Sequence, residues 1–431
     1  MIQPKDFSAD SQRAPIAIDR EALIERFLRY VKVETTANPD DPQKPSSPGQ
    51  IRLGELVATE LIRLGLADVR QEPGGVVYAT IPASRVEYQD RPAIAWIAHL
   101  DTSPEASGAN VQPRRIDDYD GQPITLESGE VVEPQSVDAS VDWIGKTLIV
   151  TDGKTLLGGD DKAGVAIIVQ TAATLIQRRD LSHGPIRLVL TCDEEIGRGT
   201  ESVDLSKIDA TVGYTIDGGG AGVIDVETFS ADGMTVHFTG RNIHPSIAKG
   251  RMINSLRAAS EFVASLPTRD TTPETTDGRE GFIHVYDVRG SVQQTSVKLI
   301  LRSFETADLD RYARQIIQLA DDAADSWPGT AVSVDRVTQY RNMAEGLRRV
   351  PQCVTLAEQA FERLGRPYRT EIIRGGTDGS QLTALGLPTP NLSSGQYNIH
   401  STGEFVCVED MVAAAEHLVA LAALWAERGG A

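Results

Sequence analysis

Three apolar stretches of this chain run straight into side chains of metal-binding type. Ala93–Ala98 is followed by His99-Leu100-Asp101, Ile186–Thr191 by Cys192-Asp193-Glu194-Glu195, and Thr211–Ile216 by Asp217 and a run of glycines. A fourth cluster, Leu156–Gly164, reads LLGGDDKAG and sets Asp160 and Asp161 just ahead of a helical pattern. One such carboxylate would be an ordinary cap or turn residue. Several together, two of them adjacent acid pairs, repel unless a cation or a proton stands between them, and a divalent metal is the simplest answer. A two-metal site needs about six ligand groups with one carboxylate shared, and zinc draws them from His, Asp and Glu. Of the 7 histidines, His99 ends an apolar stretch with Asp101 placed to accept its second ring N–H, and His400 lies in the loop GQYNIHSTGE. His183 and His417 read as structural, His237 and His284 as ordinary strand residues. His244, in RNIHPS, follows no acidic cluster and stands apart.

The elements that must carry these residues follow from hydrophobic periodicity. Asp19 reads as the N-cap of a first helix and Gly65 as the terminator of a second. Thr35–Gly49, rich in Pro and Ser, is loop. Val76–Ile81, Ala93–Ala98, Ile186–Thr191 and Thr211–Ile216 read as strands, with a helix over Lys162–Arg178. This alternation predicts an α/β domain with a mostly parallel sheet flanked by helices, and its ligands at the carboxyl ends of strands. Near residue 225 the pattern changes. Strand, helix, two strands, helix and strand follow as Met234–Thr239, Met252–Leu266, Phe282–Arg289, Ser296–Ser303, Leu309–Ala324 and Ala331–Tyr340. That β-α-β-β-α-β order predicts a smaller α+β domain over 225–340, inserted in a larger one over 19–224 and 341–431, with 1–18 as a flexible tail.

Composition narrows the function. A formal net charge of −19 excludes a large nucleic-acid footprint and docking on an anionic membrane. No apolar run approaches the roughly 20 residues of a membrane span, and the first residues carry no apolar signal-peptide core. The 3 cysteines are sparse and far apart, as in a reducing, cytoplasmic setting.

Seven segments in this order resemble the M20 family of co-catalytic zinc peptidases, and within it the peptidase T branch of tripeptide aminopeptidases. They are HLDTSPEASG at His99, TDGKTLLGGDDKAG at Thr151, DEEIGRG at Asp193, YTIDGG at Tyr214, NIHPSIAKGRMIN at Asn242, RGGTDGSQL at Arg374 and GLPTPNLSSGQYNIH at Gly386. The resemblance runs from about Ile24 to Trp425. It implies two Zn²⁺ per subunit, with Co²⁺ or Mn²⁺ as substitutes, and His99, Asp160, Glu195, Asp217 and His400 as ligands. Asp160 would bridge, with His99 and Asp217 on one ion and Glu195 and His400 on the other. Asp161 would be a neighbour of the bridge, not a ligand. Asp101 would orient His99, and Glu194 would be the general base.

The resemblance further implies a short peptide substrate and a homodimer in which the small domain is both dimerisation surface and lid. His244 would act in trans on the partner's substrate, Arg302 would hold a substrate carboxylate, and Asn254 and the loop around Gly376 would lie on the substrate side. The sequence departs from the family's pattern at Ser246, at Ser401 and Thr402, where a basic residue is missing, and at Ser303-Phe304-Glu305. These departures bear on peptide preference, so a dipeptidase, a carboxypeptidase and an N-acyl amino acid amidohydrolase remain as rival activities. A metal-binding scaffold without catalysis is a remoter rival, because it would need no base at Glu194.

Overall fold

A computed structural model describes residues 16–428, so most of the expected tail lies outside the described residues. The chain divides into two compact units, one made of residues up to Val226, Met343–Glu371 and Thr377 onward, the other of Glu227–Asn342 and Ile372–Gly376.

The larger unit is built on an 11-stranded sheet. Its main path runs Ala67–Gln71, Val77–Ile81, Ile186–Thr191, Ile94–His99, Val212–Gly219, Asn391–Tyr397, Phe405–Cys407, Leu148–Val150 and Arg114–Ile116. The expected mostly parallel order holds at the centre, where Ile186–Thr191, Ile94–His99, Val212–Gly219 and Asn391–Tyr397 pair in parallel. Both margins are antiparallel, so the sheet is mixed. On the main path the margin strands are three to five residues long, and antiparallel neighbours do not need the crossover helix that parallel ones do. Ile94–His99 and Asn391–Tyr397 are buried along their whole length, as strands covered on both faces must be.

Local chemistry sets the flanking helices. Asp19 caps Arg20–Tyr30 by accepting from Ala22 N at 3.0 Å. Pro48 opens Pro48–Leu64 and left-handed Gly65 (φ 87°) closes it. The central helix, Gly159–Gln177, starts earlier than its apolar pattern suggests. Its head is irregular, with Asp160 at φ −79°, ψ 106° and Asp161 at φ −119°, ψ 33°. No helix among the described residues is long and apolar enough to cross a membrane.

The smaller unit is a 4-stranded antiparallel sheet in the order Phe282–Gly290, Gln294–Ser303, Ser230–Thr239, Ala331–Tyr340. Helices Ser255–Ser265 and Thr306–Ser326 cover one face, burying Val236, Phe238, Phe262, Leu299, Leu301 and Ile316. Tyr286, Val288 and Val337 of its outer strands are more than half exposed.

Candidate metal centre

The strand ends of the larger unit gather five of the expected residues into two groups. His99, Asp160 and Asp217 form one, and Asp160, Glu195 and His400 the other; within each, the candidate ligand atoms lie within 4.8 Å of one another. Asp160 belongs to both through different oxygens. Its Oδ1 stands 2.9 Å from His99 Nε2, and its Oδ2 stands 3.2 Å from His400 Nε2. His99 Nε2 is 3.7 Å from Asp217 Oδ1, and His400 Nε2 is 2.9 Å from Glu195 Oε2.

These spacings fit metal ions. Two donors on one tetrahedral zinc, each about 2.0–2.1 Å from it, stand roughly 3.3 Å apart, and the four separations straddle that value. Glu195 Oε1 is buried and has no hydrogen-bond partner, a carboxylate oxygen left for a cation. The charges agree. Burial, with Asp160 close by, pushes Glu195 up to about 7 and Asp217 up to about 6. Burial would raise Asp160 too, but hydrogen bonds from His400 and His99 outweigh it and hold that carboxylate below the usual range. His400 is raised to about 11 by its hydrogen bonds to Asp160 and Glu195. Left to itself the cluster collects protons, and divalent cations can take their place.

Neighbouring residues fix the candidate ligands. His99 turns Nδ1 towards Asp101, 3.2 Å from its carbonyl oxygen and 3.4 Å from its Oδ1. Besides this contact with His99, the Asp101 carboxylate accepts from Glu194 N at 3.2 Å and Glu195 N at 3.0 Å. Asp161 accepts from His99 N and Gly164 N, so it works on the backbone. Glu194 sits half-buried beside Glu195 on a short 3-10 turn. Burial lifts its proton affinity well above that of a free carboxyl, against the pull of His99 and helped by Asp378, Asp217 and Glu195. A carboxylate with that affinity and no ligand position suits proton transfer.

Sequence reasoning missed several supports. Gln396 Nε2 donates to the Asp217 carbonyl at 3.0 Å and to its Oδ1 at 3.2 Å. Asn391 accepts from Asp217 N at 3.2 Å and donates to buried Asp225 at 2.9 Å. Left-handed Asp193 (φ 65°) accepts from Ser46 N and Gln50 Nε2, so the early Pro/Ser loop is tied to the acid pair. The signal available was polar residues inside apolar strands, as in Asn391–Tyr397.

The other expected site residues lie in the smaller unit. Exposed His244 precedes a short 3-10 turn with Nδ1 2.7 Å from Ser246 Oγ. Asn254 caps helix Ser255–Ser265, accepting from Leu256 N at 3.1 Å. Arg302 donates Nη1 to the Arg374 carbonyl at 3.2 Å and stands over the rings of Phe282 and Tyr340, while its Nε is buried without a partner. Gly376 packs on Tyr340, where an added Cβ would come within 2.6 Å of the ring. At the sequence departures, Ser401 Oγ donates to Asn398 O and Thr402 Oγ1 to Glu130 at 2.6 Å.

Known proteins share this fold. The chain aligns with an aminopeptidase PepT from Bacillus cereus at a TM-score of 0.72 and 23% identity, covering 95% of this chain and 99% of that one. It aligns with a dinuclear metal-binding peptidase of the M20 family from Bacillus subtilis at a TM-score of 0.61 and 16% identity, covering 95% and 98%. Residues 226–328 match the peptidase dimerisation domain of M20 proteins. Fold and site together define an M20-type metallopeptidase. In sequence, the chain is 40% identical over 411 residues to a peptidase T from Geobacillus kaustophilus, 95% of this chain and 99% of that protein. It is 41% identical over 408 residues to one from Desulfitobacterium hafniense, 94% and 98%. The chain belongs to the peptidase T family, and with it to the metallo-aminopeptidases.

Proposed function

We propose that the chain is a dizinc aminopeptidase that releases the N-terminal residue of tripeptides. The observation that carries this is Asp160, which offers one oxygen to each of two His-and-carboxylate groups. His99 and Asp217 would hold one ion with it, and Glu195 and His400 the other. Two divalent ions so held supply a water activated near neutral pH and a positive charge for the peptide carbonyl. Glu194 takes the proton of the attacking water on its carboxylate and returns it to the leaving amine. Asp101 keeps Glu194 and Glu195 aimed by holding both of their backbone N–H groups.

In the smaller unit, Arg302 is assigned to the substrate's terminal carboxylate. Its buried, unpartnered Nε supports this, and a guanidinium fork suits the task. Asn254 and Gly376 are assigned to the substrate side. The match to a dimerisation domain supports a homodimer in which exposed His244 serves the partner's site. The buried, unpaired Cys192, Cys353 and Cys407 support a cytoplasmic setting.

Exhaustive chelation should abolish tripeptide cleavage, and Zn²⁺, Co²⁺ or Mn²⁺ should restore it; full activity after chelation overturns the reading. An N-acetylated tripeptide should resist cleavage, and its hydrolysis would favour an N-acyl hydrolase or a carboxypeptidase. Mixing His244→Ala and Glu194→Gln homodimers under subunit exchange should recover up to about a quarter of wild-type activity, because half the sites in half the dimers are whole. No recovery despite exchange removes the trans role.

A further inference from the structure

Glu404 is a buried carboxylate, 1% exposed, that has no role in the site as described so far. It lies four residues past His400, at the entry to strand Phe405–Cys407. Its Oε2 accepts from Leu157 N and Gly158 N, each at 2.8 Å, and its Oε1 accepts from Asp160 N at 2.9 Å. Three peptide donors from one four-residue stretch therefore close on a single side chain. They lie at and just before the irregular head of helix Gly159–Gln177, where N–H groups have no partner within the helix. Gly158 turns through the left-handed region there, at φ 79°. The grip is tight, since a Cβ at Gly159 would stand 2.9 Å from Glu404 Oε1 and 2.8 Å from Val406 Cγ1.

We propose that Glu404 is the positioning residue for the shared carboxylate: by gripping the backbone at Leu157, Gly158 and Asp160, it sets Asp160 so that one oxygen faces each ligand group. Because the same short segment carries His400, it also ties the bridge to the second group. A structural prop elsewhere in the sheet would stabilise the fold and leave ion affinity alone. Glu404 acts on the one residue that both ions share. The inference rests on the two-ion reading above.

The test uses the full-length protein stripped of metal, titrated with Zn²⁺ by calorimetry and with Co²⁺ by visible absorption. Wild type should take up two ions. In Glu404→Gln the amide NH₂ opposes peptide donors, so at least one ion should bind about 10–100-fold more weakly and the Co²⁺ bands should shift. Wild-type affinity and spectrum in a folded Glu404→Gln protein overturn the proposal, even if its Tm falls. Should Glu404→Gln fail to fold, Glu404→Asp keeps the charge on a shorter arm. Weaker binding with shifted bands then supports the proposal, and wild-type behaviour overturns it. A wild-type chain that binds no ions overturns the two-ion reading, and this inference falls with it.

Discussion

The two ligand groups that meet at Asp160 are unlike in their surroundings. On one side the side chains of His99 and Asp217 are 2% and 11% exposed. His99 turns its second nitrogen inward to Asp101, which is itself fully buried. On the other side Glu195 is 4% exposed but His400 is 34% exposed. His400 Nδ1 faces Ser103 Oγ at 3.5 Å and the solvent-exposed Glu105 at 3.2 Å. One half is walled by protein and the other opens to water. Charges attract far more strongly where water is excluded. On the proposed two-ion reading, the walled half would be the fixed anchor and the open half the side on which a peptide and its displaced waters could pass. A shared carboxylate makes the two halves one device with unequal ends.

That comparison can be broken at its hinge. Asp160→Ala should remove the ligand common to both groups, so it should release both ions and give the largest loss of turnover, on the order of 10⁴-fold or more. Metal analysis finding one ion still tightly held would show that the halves are independent. Glu194→Gln comes next. The amide cannot take a proton, so kcat should fall about 10²–10⁴-fold while both ions stay bound; lost metal would make Glu194 a ligand. Removing each histidine then sharpens the contrast. His400→Ala should weaken one ion and leave the other held by the walled group, whereas His99→Ala should weaken the anchor and, through Asp160, disturb both. Equal and single losses in the two variants, read by calorimetry, would mean that the difference in burial has no consequence for the ions.

The smallest effect lies behind the walled half. Asp225, bonded to the Asn391 that holds Asp217 N, is pushed up to about 7 by burial, against the hydrogen bond from Asn391. Its folded-state pKa is higher than its unfolded one, so the folded chain binds more protons between about pH 4 and 7. Stability from this group is present below pH 4 and declines as pH rises through 7. Asp225→Asn keeps an acceptor for Asn391 and should flatten that slope, raising Tm at pH 8 by a few degrees. A slope unchanged in thermal melts from pH 4 to 8 would place the titration elsewhere.

The parts of the molecule differ in how openly the sequence displays them. The strand ends that carry candidate ligands are legible because Ile94–His99, Ile186–Thr191 and Val212–Gly219 are apolar runs that stop at polar residues, and the stop is itself the signal. The 10-residue strands Ser230–Thr239 and Gln294–Ser303 are legible because one face is buried and the residues alternate. Strands of two or three residues, such as Ile124–Thr125, Val131–Val132 and Leu148–Val150, are too short to show any period. Supports such as Gln396 for Asp217 and Asp101 for Glu195 were hidden for another reason. A hydrogen bond between residues far apart in sequence leaves no local pattern, and only the folded sheet brings its two ends together. Asp101 shows the limit well: its spacing from His99 displays one contact, and the structure adds a second, to the backbone of Glu194 and Glu195.

The chain order of the candidate ligands carries a consequence for synthesis. His99, Asp160, Glu195 and Asp217 all precede the smaller unit, and His400 follows it. The residues that clasp Asp217, Asn391 and Gln396, also come after it. A growing polypeptide therefore has one triad spelled out by residue 217 and waits for the whole second unit before the other can close. Translation that stops before His400 would yield a product with one candidate group complete in sequence and the other lacking its histidine. If both groups are needed for turnover, as the proposed two-ion reading has it, an enzyme whose substrates are themselves peptides would gain hydrolytic power only when nearly the entire chain has been made.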